Sequence, residues 1–364
     1  VEQLETVIRW AKEMQTPVLV HVISKKGKGC KYAEEHPDKY HGVGKFDPAT
    51  GEMPAPKPCF SSVFGNKLMQ IAEINHNVVA ITAAMCEGTG LTAFSERFPN
   101  RFFDVGIAEE HAVAMAAGMA KQGLTPVVAI YSGFLQRAYD MLIHDVSLQN
   151  LHVVFGVDRA GLVGNDGETH HGAFDISYLR SVPHMQILCP ASFAELEMML
   201  DEAVNKMDGP VAIRYPRGGE GDMYTGCDLS PCVKLRDGVD ITIAAYGTMI
   251  NTALSVADIL ASEGIEADVF KLSSLHLHPY DEIIASMKKT GVFLMSEDVC
   301  SSSCIAEDIL ASAERAGVCL KAAYTANLGD GIVVQGTVPE LMKHCRLDDK
   351  SLADEAIKLV RGVK

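Results

Sequence analysis

A chain of 364 residues that is 48% hydrophobic can bury two cores of ordinary domain size. Its formal net charge of -15 argues against nucleic acid or an anionic membrane surface as a partner, because both would repel it. No apolar run is long enough to span a bilayer, and residues 1–10 lack the basic start and apolar core of a signal peptide, so we expect a cytoplasmic protein.

The first predicted elements are a helix over residues 2–15 and an apolar strand over residues 17–23. Residues 24–58 are rich in Lys, Gly and Pro and have no hydrophobic periodicity, which is typical of a long exposed connection. One helix and one strand make a poor domain. Residues 1–58 are therefore interpreted as the tail of one domain and the linker to the next.

From Ser61 onward an amphipathic helix is followed by short apolar runs that alternate with helical stretches. Such alternation predicts an α/β fold, with parallel sheets covered on both faces. A polar, acidic connection over residues 218–240 interrupts the pattern, which then repeats as a smaller unit. The predicted strands lie within residues 78–84, 102–107, 126–131, 152–158, 185–190, 211–216, 241–247, 267–272, 291–297 and 319–326.

The ten cysteines are scattered without CxxC pairs, as is common for reduced cytosolic thiols. Cys300 and Cys304 have the spacing CxxxC, but no second pair of ligands follows them. A zinc site needs such a second pair. We therefore interpret both cysteines as surface thiols.

Ligands of parallel sheets bind beyond the carboxyl ends of the strands, and the residues that could carry chemistry fall at those ends. Each has a structural explanation when taken singly; an acidic residue in a first helical turn, for example, is favoured by the helix dipole. Together they would bring arginines, an aromatic pair, a carboxylate and a loop histidine to one edge, which suits a phosphorylated substrate and an acid–base cofactor. These residues are Glu109, Tyr131, Phe134, Arg137, Arg159, Asp166, His170 and Arg217.

Four motifs closely resemble the 1-deoxy-D-xylulose-5-phosphate synthases, a family of transketolase-like thiamine-diphosphate enzymes. They are VGIAEEHAVAMAAGMA, IYSGFLQRAYDMLIHDV, VDRAGLVGNDGETHHGAFDISYLR and IRYPRG. The resemblance implies two successive three-layer α/β/α domains with mostly parallel sheets. Residues 59–225 would be the transketolase pyrimidine-binding domain and residues 226–364 the transketolase C-terminal domain. Residues 1–58 would be the tail of a diphosphate-binding domain and a linker, because KKGKG and AEEHPDKYHGVGKFDPATG resemble that segment.

The resemblance also implies roles for individual residues. The Glu109 carboxylate would bind the pyrimidine nitrogen of the cofactor, Phe134 would stack on that ring, and two arginines with Tyr131 would hold a substrate phosphate. Adjacent helical positions point about 100° apart, so Glu110 cannot share the role of Glu109 and faces solvent or another subunit. The implied catalytic residues are Glu109, Asp166, His170 and His41; the implied cofactor-binding residues are Glu109, Phe134, Tyr131, Arg137 and Lys26; the implied substrate-binding residues are Tyr131, Arg159 and Arg217.

The implied reaction joins pyruvate to D-glyceraldehyde 3-phosphate with loss of CO2, giving 1-deoxy-D-xylulose 5-phosphate for the synthesis of isoprenoids, thiamine and pyridoxal. The implied cofactors are thiamine diphosphate and Mg²⁺, and the implied assembly is a homodimer. The GDG motif at residues 329–331 matches a different segment of the family and has no Asn after it, so the metal ligands are expected upstream of Val1 and none in this chain. We expect the chain alone to bind the cofactor poorly and to be inactive.

Two other functions remain open. The chain could be the pyrimidine-binding subunit of a split thiamine-diphosphate enzyme, such as the beta subunit of a 2-oxoacid dehydrogenase, with the metal site on a partner. It could also be a non-catalytic assembly module built on the same two domains. Residues 1–58 favour the synthase, because a true beta subunit has no reason to carry the tail of a diphosphate-binding domain.

Overall fold

The computed structural model of the chain describes residues 1–37, 39–40, 43–55, 57–275 and 280–363. It divides into two compact units, Val1–Lys57 and Pro58–Lys364. The first unit contains helices α1 (Glu2–Glu13) and α2 (Lys31–Glu35).

The strand predicted at residues 17–23 is wrong, because these described residues form none. A strand requires a hydrogen-bonded neighbour, and the described residues of the first unit contain no strand that could pair with it. The apolar side chains of this stretch are left in solvent, with Leu19 93% and Ile23 87% exposed. The apolar composition of residues 17–23 therefore predicted a strand, but the part of this unit that the structure describes supplies no neighbouring strand to pair with it.

The second unit begins with a parallel sheet whose strands are ordered β2-β1-β3-β4-β6-β5. Its strands are β1 (Val78–Thr82), β2 (Phe102–Asp104), β3 (Thr125–Tyr131), β4 (Val154–Ala160), β5 (Gln186–Leu188) and β6 (Val211–Pro216). The central strands are buried along most of their length, as expected for a parallel sheet with helices on both faces.

A smaller sheet follows, ordered β11-β10-β8-β9-β7, in which β7 runs antiparallel to β9 and the other neighbours run parallel. Its strands are β7 (Cys232–Arg236), β8 (Ile241–Tyr246), β9 (Ala267–Leu272), β10 (Val292–Ser296) and β11 (Ala322–Ala326). Strand β7 lies inside the stretch interpreted from sequence as a connection, so that interpretation is corrected. It is a half-exposed edge strand. Its charged residues, which are typical of such edges, break the apolar run by which a strand is predicted.

Helices cover both faces of each sheet. In the second unit these are α3 (Phe60–Ile74), α4 (Thr92–Arg97), α5 (Glu109–Lys121), α6 (Ser132–Leu135), α7 (Tyr139–Met141), α8 (Asp175–Arg180), α9 (Phe193–Asn205), α10 (Met249–Ser262), α11 (Asp281–Thr290), α12 (Ile305–Arg315), α13 (Val338–His344) and α14 (Asp349–Val363). Helices α3 and α9 pack on one face of the first sheet and α5 on the other. Helices α10 and α14 pack on one face of the second sheet, and α11 and α12 on the other. The predicted α/β fold with two three-layer domains is confirmed.

One hydrophobic cluster extends through both domains. It joins Ile187 and Cys189 at the end of β5 to Phe270 and Leu272 of β9. No helix in the described part of the chain is long and apolar enough to cross a membrane.

The interpretation of Cys300 and Cys304 as surface thiols is wrong. Both are buried in the turn between β10 and α12, and Cys304 belongs to the hydrophobic cluster that the domains share. The first domain contacts this turn: the backbone N–H of Cys300 donates to the carbonyl of Ala173, 2.9 Å away.

Candidate active site

Three neighbouring strands of the first sheet end together and supply the polar side chains of one edge. Tyr131 is the last residue of β3, Arg159 is near the end of β4, and Arg217 directly follows β6. Because β3, β4 and β6 are adjacent in the sheet, their carboxyl ends place these residues side by side.

The two arginines face a shared carboxylate. Asp166 accepts a hydrogen bond from Arg159 and forms an ion pair with Arg217, at 2.8 Å between Nη1 and Oδ2. The guanidinium carbon of Arg159 lies 3.9 Å from the centre of the Tyr131 ring. Arg159 has a φ of 58°, in the left-handed region that residues other than glycine rarely adopt. Strained backbone of this kind is common at functional sites.

The arginines line a cleft of about 260 Å³ together with the start of α3. Ser61 and Ser62 from α3 and Gly88 from the loop after β1 complete much of its wall. A side chain at Gly88 would displace Tyr131, since its Cβ would lie 1.6 Å from the Tyr131 hydroxyl. Guanidinium forks and a helix N-terminus both favour phosphate oxygens, so this cleft can hold a phosphate group.

Glu109 begins α5 and is 2% exposed. Its Oε2 accepts a hydrogen bond from Nη1 of the half-exposed Arg137 at 3.1 Å. Arg137 also lies 5.8 Å from the centre of the Phe134 ring. The neighbouring Glu110 is exposed, as the angular separation of adjacent helical positions requires.

Phe134 connects the Glu109–Arg137 pair to the arginine cleft. Its ring centre lies 5.8 Å from that of Tyr131 and 5.1 Å from that of His170. His170 and Asp166 share the loop of residues 161–174, in which the His170 Nδ1 lies 3.0 Å from the Thr169 hydroxyl. The structure thus brings together eight of the residues singled out in the sequence: Glu109, Tyr131, Phe134, Arg137, Arg159, Asp166, His170 and Arg217.

The two residues assigned from the linker are not tested by the structure. Lys26 is an exposed residue of a turn in the first unit, and His41 lies outside the described residues. Their contact with the site stays a prediction.

Sequence reasoning missed a buried charge network beneath the site. Arg214 of β6 donates from Nε to Asp175 at 2.9 Å and forms an ion pair at 3.0 Å with Asp298, which follows β10 in the second domain. Asp175 also accepts from the Ser132 hydroxyl at 2.9 Å, and Ser132 begins the helix that carries Phe134. A charged residue inside the apolar run VAIRYP was the signal in the sequence.

A second missed residue is Asp158, which is fully buried one position before Arg159. Burial raises its pKa to about 7, although Ser61, Arg159 and Arg217 act in the opposite direction. The carboxylate at the end of the run HVVFGVD was the signal here.

The GDG motif at residues 329–331 lies in the loop after β11, where the Asp330 carboxylate accepts a hydrogen bond from the Ser301 hydroxyl. Among the residues that the structure describes, no three His, Cys, Asp or Glu side chains are grouped so that they could hold a metal ion.

Two family models match the chain. "Transketolase, pyrimidine binding domain" matches residues 57–219, and "Transketolase, C-terminal domain" matches residues 231–352. Among curated proteins, the 1-deoxy-D-xylulose-5-phosphate synthase of Natranaerobius thermophilus is 44% identical, covering 100% of this chain and 58% of that protein. The one of Desulforudis audaxviator is 51% identical over 80% of this chain and 47% of that protein. The chain thus spans roughly half of the length of these relatives.

Solved structures share the fold. A structure titled "Split gene transketolase, inactive beta4 tetramer" has a TM-score of 0.75 at 24% identity, covering 85% of this chain and 100% of that one. A Pichia stipitis transketolase in complex with sedoheptulose-7-phosphate has a TM-score of 0.69 at 16% identity, covering 85% of this chain and 47% of that one. At these identities the likeness shows the fold alone.

Proposed function

This chain belongs to the transketolase family, and we propose from that premise that it forms the pyrimidine-binding side of a thiamine-diphosphate site. The proposed enzyme is a transketolase-type transferase that joins pyruvate to D-glyceraldehyde 3-phosphate, with loss of CO2, to give 1-deoxy-D-xylulose 5-phosphate. The names of the curated relatives support the reaction. The buried carboxylate of Glu109, beside Arg137 and near Phe134, is the observation that carries the cofactor assignment.

The residues around Glu109 fit an aminopyrimidine ring. A buried carboxylate that can share a proton with a ring nitrogen favours the imino tautomer of the ring, and Arg137 compensates the charge of this carboxylate. Phe134 offers an aromatic face to stack on the ring. When bound, thiamine diphosphate supplies the carbanion that attacks a carbonyl carbon. In this proposal Glu109 holds the proton on the ring, and Phe134 sets the orientation of the ring.

The cleft between Arg159 and Arg217 fits the phosphate of D-glyceraldehyde 3-phosphate. Both guanidinium groups already hold one carboxylate, that of Asp166, and can exchange it for phosphate oxygens. Tyr131 packs under Arg159 and fixes the direction of its fork. We propose that Asp166 and His170 then lie beside the reacting carbonyls and exchange protons or hydrogen bonds with them.

The remaining assignments belong to the whole enzyme. We place the metal and diphosphate ligands in the part of a full-length synthase that this chain does not span. Lys26 and His41 of this chain are proposed to reach the site from the linker. On this proposal residues 59–225 and 226–364 are the pyrimidine-binding and C-terminal domains, and the chain alone binds thiamine diphosphate weakly and is inactive. The full enzyme would be a cytoplasmic, Mg²⁺-dependent homodimer that makes a precursor of isoprenoids, thiamine and pyridoxal.

The test replaces Glu109 in the full-length enzyme that contains this chain. Glu109→Gln keeps the shape of the side chain but removes the charge that shares the proton, so release of CO2 from pyruvate falls by about 10²- to 10⁴-fold. Glu110→Gln is the matched control, because it makes the same change one position along α5 at an exposed site, and its rate stays within about twofold. Circular dichroism of both variants checks that the fold persists. Ordinary turnover by a folded Glu109→Gln enzyme would refute the assignment.

A further inference from the structure

Residues 161–174, called the site loop here, carry Asp166 and His170 and begin directly after β4. The loop is closed at its base by paired backbone hydrogen bonds between Gly161 and Gly172, 3.0 and 2.8 Å long. Glycine is the residue that loses most conformational freedom on ordering, and the loop contains four: Gly161, Gly164, Gly167 and Gly172. Holding this segment in one conformation therefore requires contacts from outside it.

The base of the site loop receives those contacts from the C-terminal domain. The Asp298 carboxylate lies so close to Gly161 that a Cβ there would be 1.8 Å from its Oδ2. At the other end of the loop, the carbonyl of Ala173 accepts a hydrogen bond from the Cys300 backbone N–H at 2.9 Å. Both Asp298 and Cys300 follow β10, so one turn of the second domain holds the two ends of the loop.

The middle of the site loop packs on the segment after β11, residues 327–337. Gly164 is so close to Gly336 and Val338 that a Cβ would lie within 3.4 Å of both, and Gly167 similarly faces Gln335 at 3.5 Å. A Cβ at Gly164 would require a small shift of Val338, and one at Gly167 would only touch Gln335. Both glycines have positive φ, 86° and 82°, which other residues rarely adopt.

His171 makes the polar connection between these segments. It is buried, its Nδ1 lies 3.1 Å from the Val163 backbone N–H, and its Nε2 lies 3.2 Å from the carbonyl oxygen of Val334. Since a backbone N–H only donates and a carbonyl only accepts, this pair of partners assigns a neutral imidazole with its hydrogen on Nε2. His171 therefore accepts from its own loop and donates to the C-terminal domain.

We propose that the C-terminal domain holds the site loop in its binding position, and that His171 is the positioning residue that fixes the loop to residues 327–337. His171 is next to His170 and touches neither substrate nor cofactor in the proposed function, on which the role of the loop rests. Its effect on phosphate binding passes through Asp166, which shares the loop and contacts Arg159 and Arg217. The second domain is thereby assigned a part in substrate binding.

The test measures amide hydrogen exchange of the site loop in the 364-residue chain, with no cofactor present. His171→Leu removes both hydrogen bonds and leaves the N–H of the buried Val163 and the carbonyl of Val334 without this partner, so exchange within residues 162–174 rises by about tenfold. His171→Gln has an amide that both accepts and donates, and it restores protection. His152→Leu is the matched control: it removes a histidine whose Nε2 contacts the Ala203 carbonyl at 2.8 Å within the first domain, and exchange of the loop stays unchanged.

A second pair of variants tests the same idea from the C-terminal domain. Cys300 has φ -65° and ψ 157°, a conformation that proline adopts, so Cys300→Pro removes the N–H that donates to Ala173 without straining φ. It also removes the thiol that contacts the Ser303 hydroxyl, and Cys300→Ala removes the same thiol. Cys300→Ala keeps that N–H. Faster exchange of the site loop in the proline variant but not in the alanine variant is expected. Inorganic phosphate then binds more tightly, because a mobile loop lets Asp166 compete less for Arg159 and Arg217.

Unchanged exchange of the loop in both His171→Leu and Cys300→Pro would overturn the proposal. So would equal loss of protection in the Leu and Gln variants spread over both sheets, since that pattern indicates general destabilisation. A failure of the proposed phosphate site can be distinguished from a failure of this proposal. Inorganic phosphate would then not bind the wild-type chain, while the effect of the variants on hydrogen exchange of the site loop would remain.

Discussion

Asp158 is the residue of the site with the clearest dependence on pH. Its pKa is raised by burial from 3.8 to about 7, so between these values the folded state binds a proton that the unfolded chain has released. This carboxyl therefore contributes to stability in full below about pH 4, and the contribution is lost as the pH rises to about 7. Asp158→Asn does not titrate at this position. We therefore expect its free energy of unfolding, relative to that of the wild type, to be about 2 kcal/mol higher at pH 7.5 than at pH 5.

Urea denaturation at several pH values measures this difference. Asp237→Asn is the matched control, because the Asp237 side chain is 90% exposed. We expect the free energy of unfolding of this variant to change with pH as that of the wild type does. A constant difference between Asp158→Asn and wild type across this range would contradict the prediction.

Asp166 tests the exchange of one anion for another in the arginine cleft. Its carboxylate bridges Arg159 and Arg217. Asp166→Asn keeps the side-chain shape but withdraws the competing negative charge, so inorganic phosphate binds several-fold more tightly in calorimetric titration. Weaker phosphate binding by this variant would show that Asp166 is needed to hold the guanidinium groups of Arg159 and Arg217 in place. That result would contradict the replacement of the carboxylate by phosphate.

The sequence predicted those residues of the candidate site that follow a strand. Glu109, Arg159 and Arg217 come directly after apolar runs, and parallel strands bring their carboxyl ends to one edge. The pairing of Arg214 with Asp298 was not predictable, because the two residues lie far apart in the sequence and meet only where the second domain packs against the first. His171 was missed for the same reason, since its partner Val334 is contributed by the other domain.

At the scale of the element, the buried strands were predicted from the sequence and a partly exposed edge strand was not. The strands β1, β3, β4, β8 and β9 are apolar runs buried on both faces, and each was predicted within a few residues. Strand β7 was missed, because it lies at an edge and its charged residues are compatible with solvent. The reverse error at residues 17–23 shows that an apolar run without a pairing partner forms no strand.

A buried ion pair connects two elements of different domains. Lys271 of β9 donates to Glu195 of α9 at 2.5 Å, and the accessible surface of both side chains is 0%. Lys271 also reaches the Ser273 hydroxyl at 2.6 Å and the Asp228 carbonyl at 2.8 Å. Lys271→Met leaves the Glu195 carboxylate buried without its counter-charge, and we expect the free energy of unfolding to fall by about 3–5 kcal/mol in urea denaturation.

The matched control for this pair is the double variant Lys271→Met with Glu195→Gln. It removes both charges, so part of the lost stability returns. A loss below about 1 kcal/mol in the single variant would be the value of an exposed ion pair and would contradict the buried pairing.

At the scale of the whole molecule, the two sheets of the second unit are joined by backbone as well as by side chains. Beyond β5, the Cys189 N–H donates to the Ser273 carbonyl and the Leu275 N–H donates to the Ile187 carbonyl, both at 2.9 Å. The hydrophobic cluster shared by the domains lies around this junction. Separating the domains would expose that cluster and break these hydrogen bonds, so neither domain is expected to open alone.

We therefore expect the two sheets to unfold in one transition, with the slowest amides of β4 and β8 reporting the same free energy of opening in native-state hydrogen exchange. Gly156→Ala provides the perturbation, because its Cβ would lie 2.6 Å from the Phe64 ring and would overpack the first domain, at a cost of about 1–3 kcal/mol. If the domains are coupled, that cost lowers the opening free energy of β8 as much as that of β4. If only the amides of β4 lose protection, the domains are independent units, and a C-terminal domain that opens separately could not hold the site loop in place.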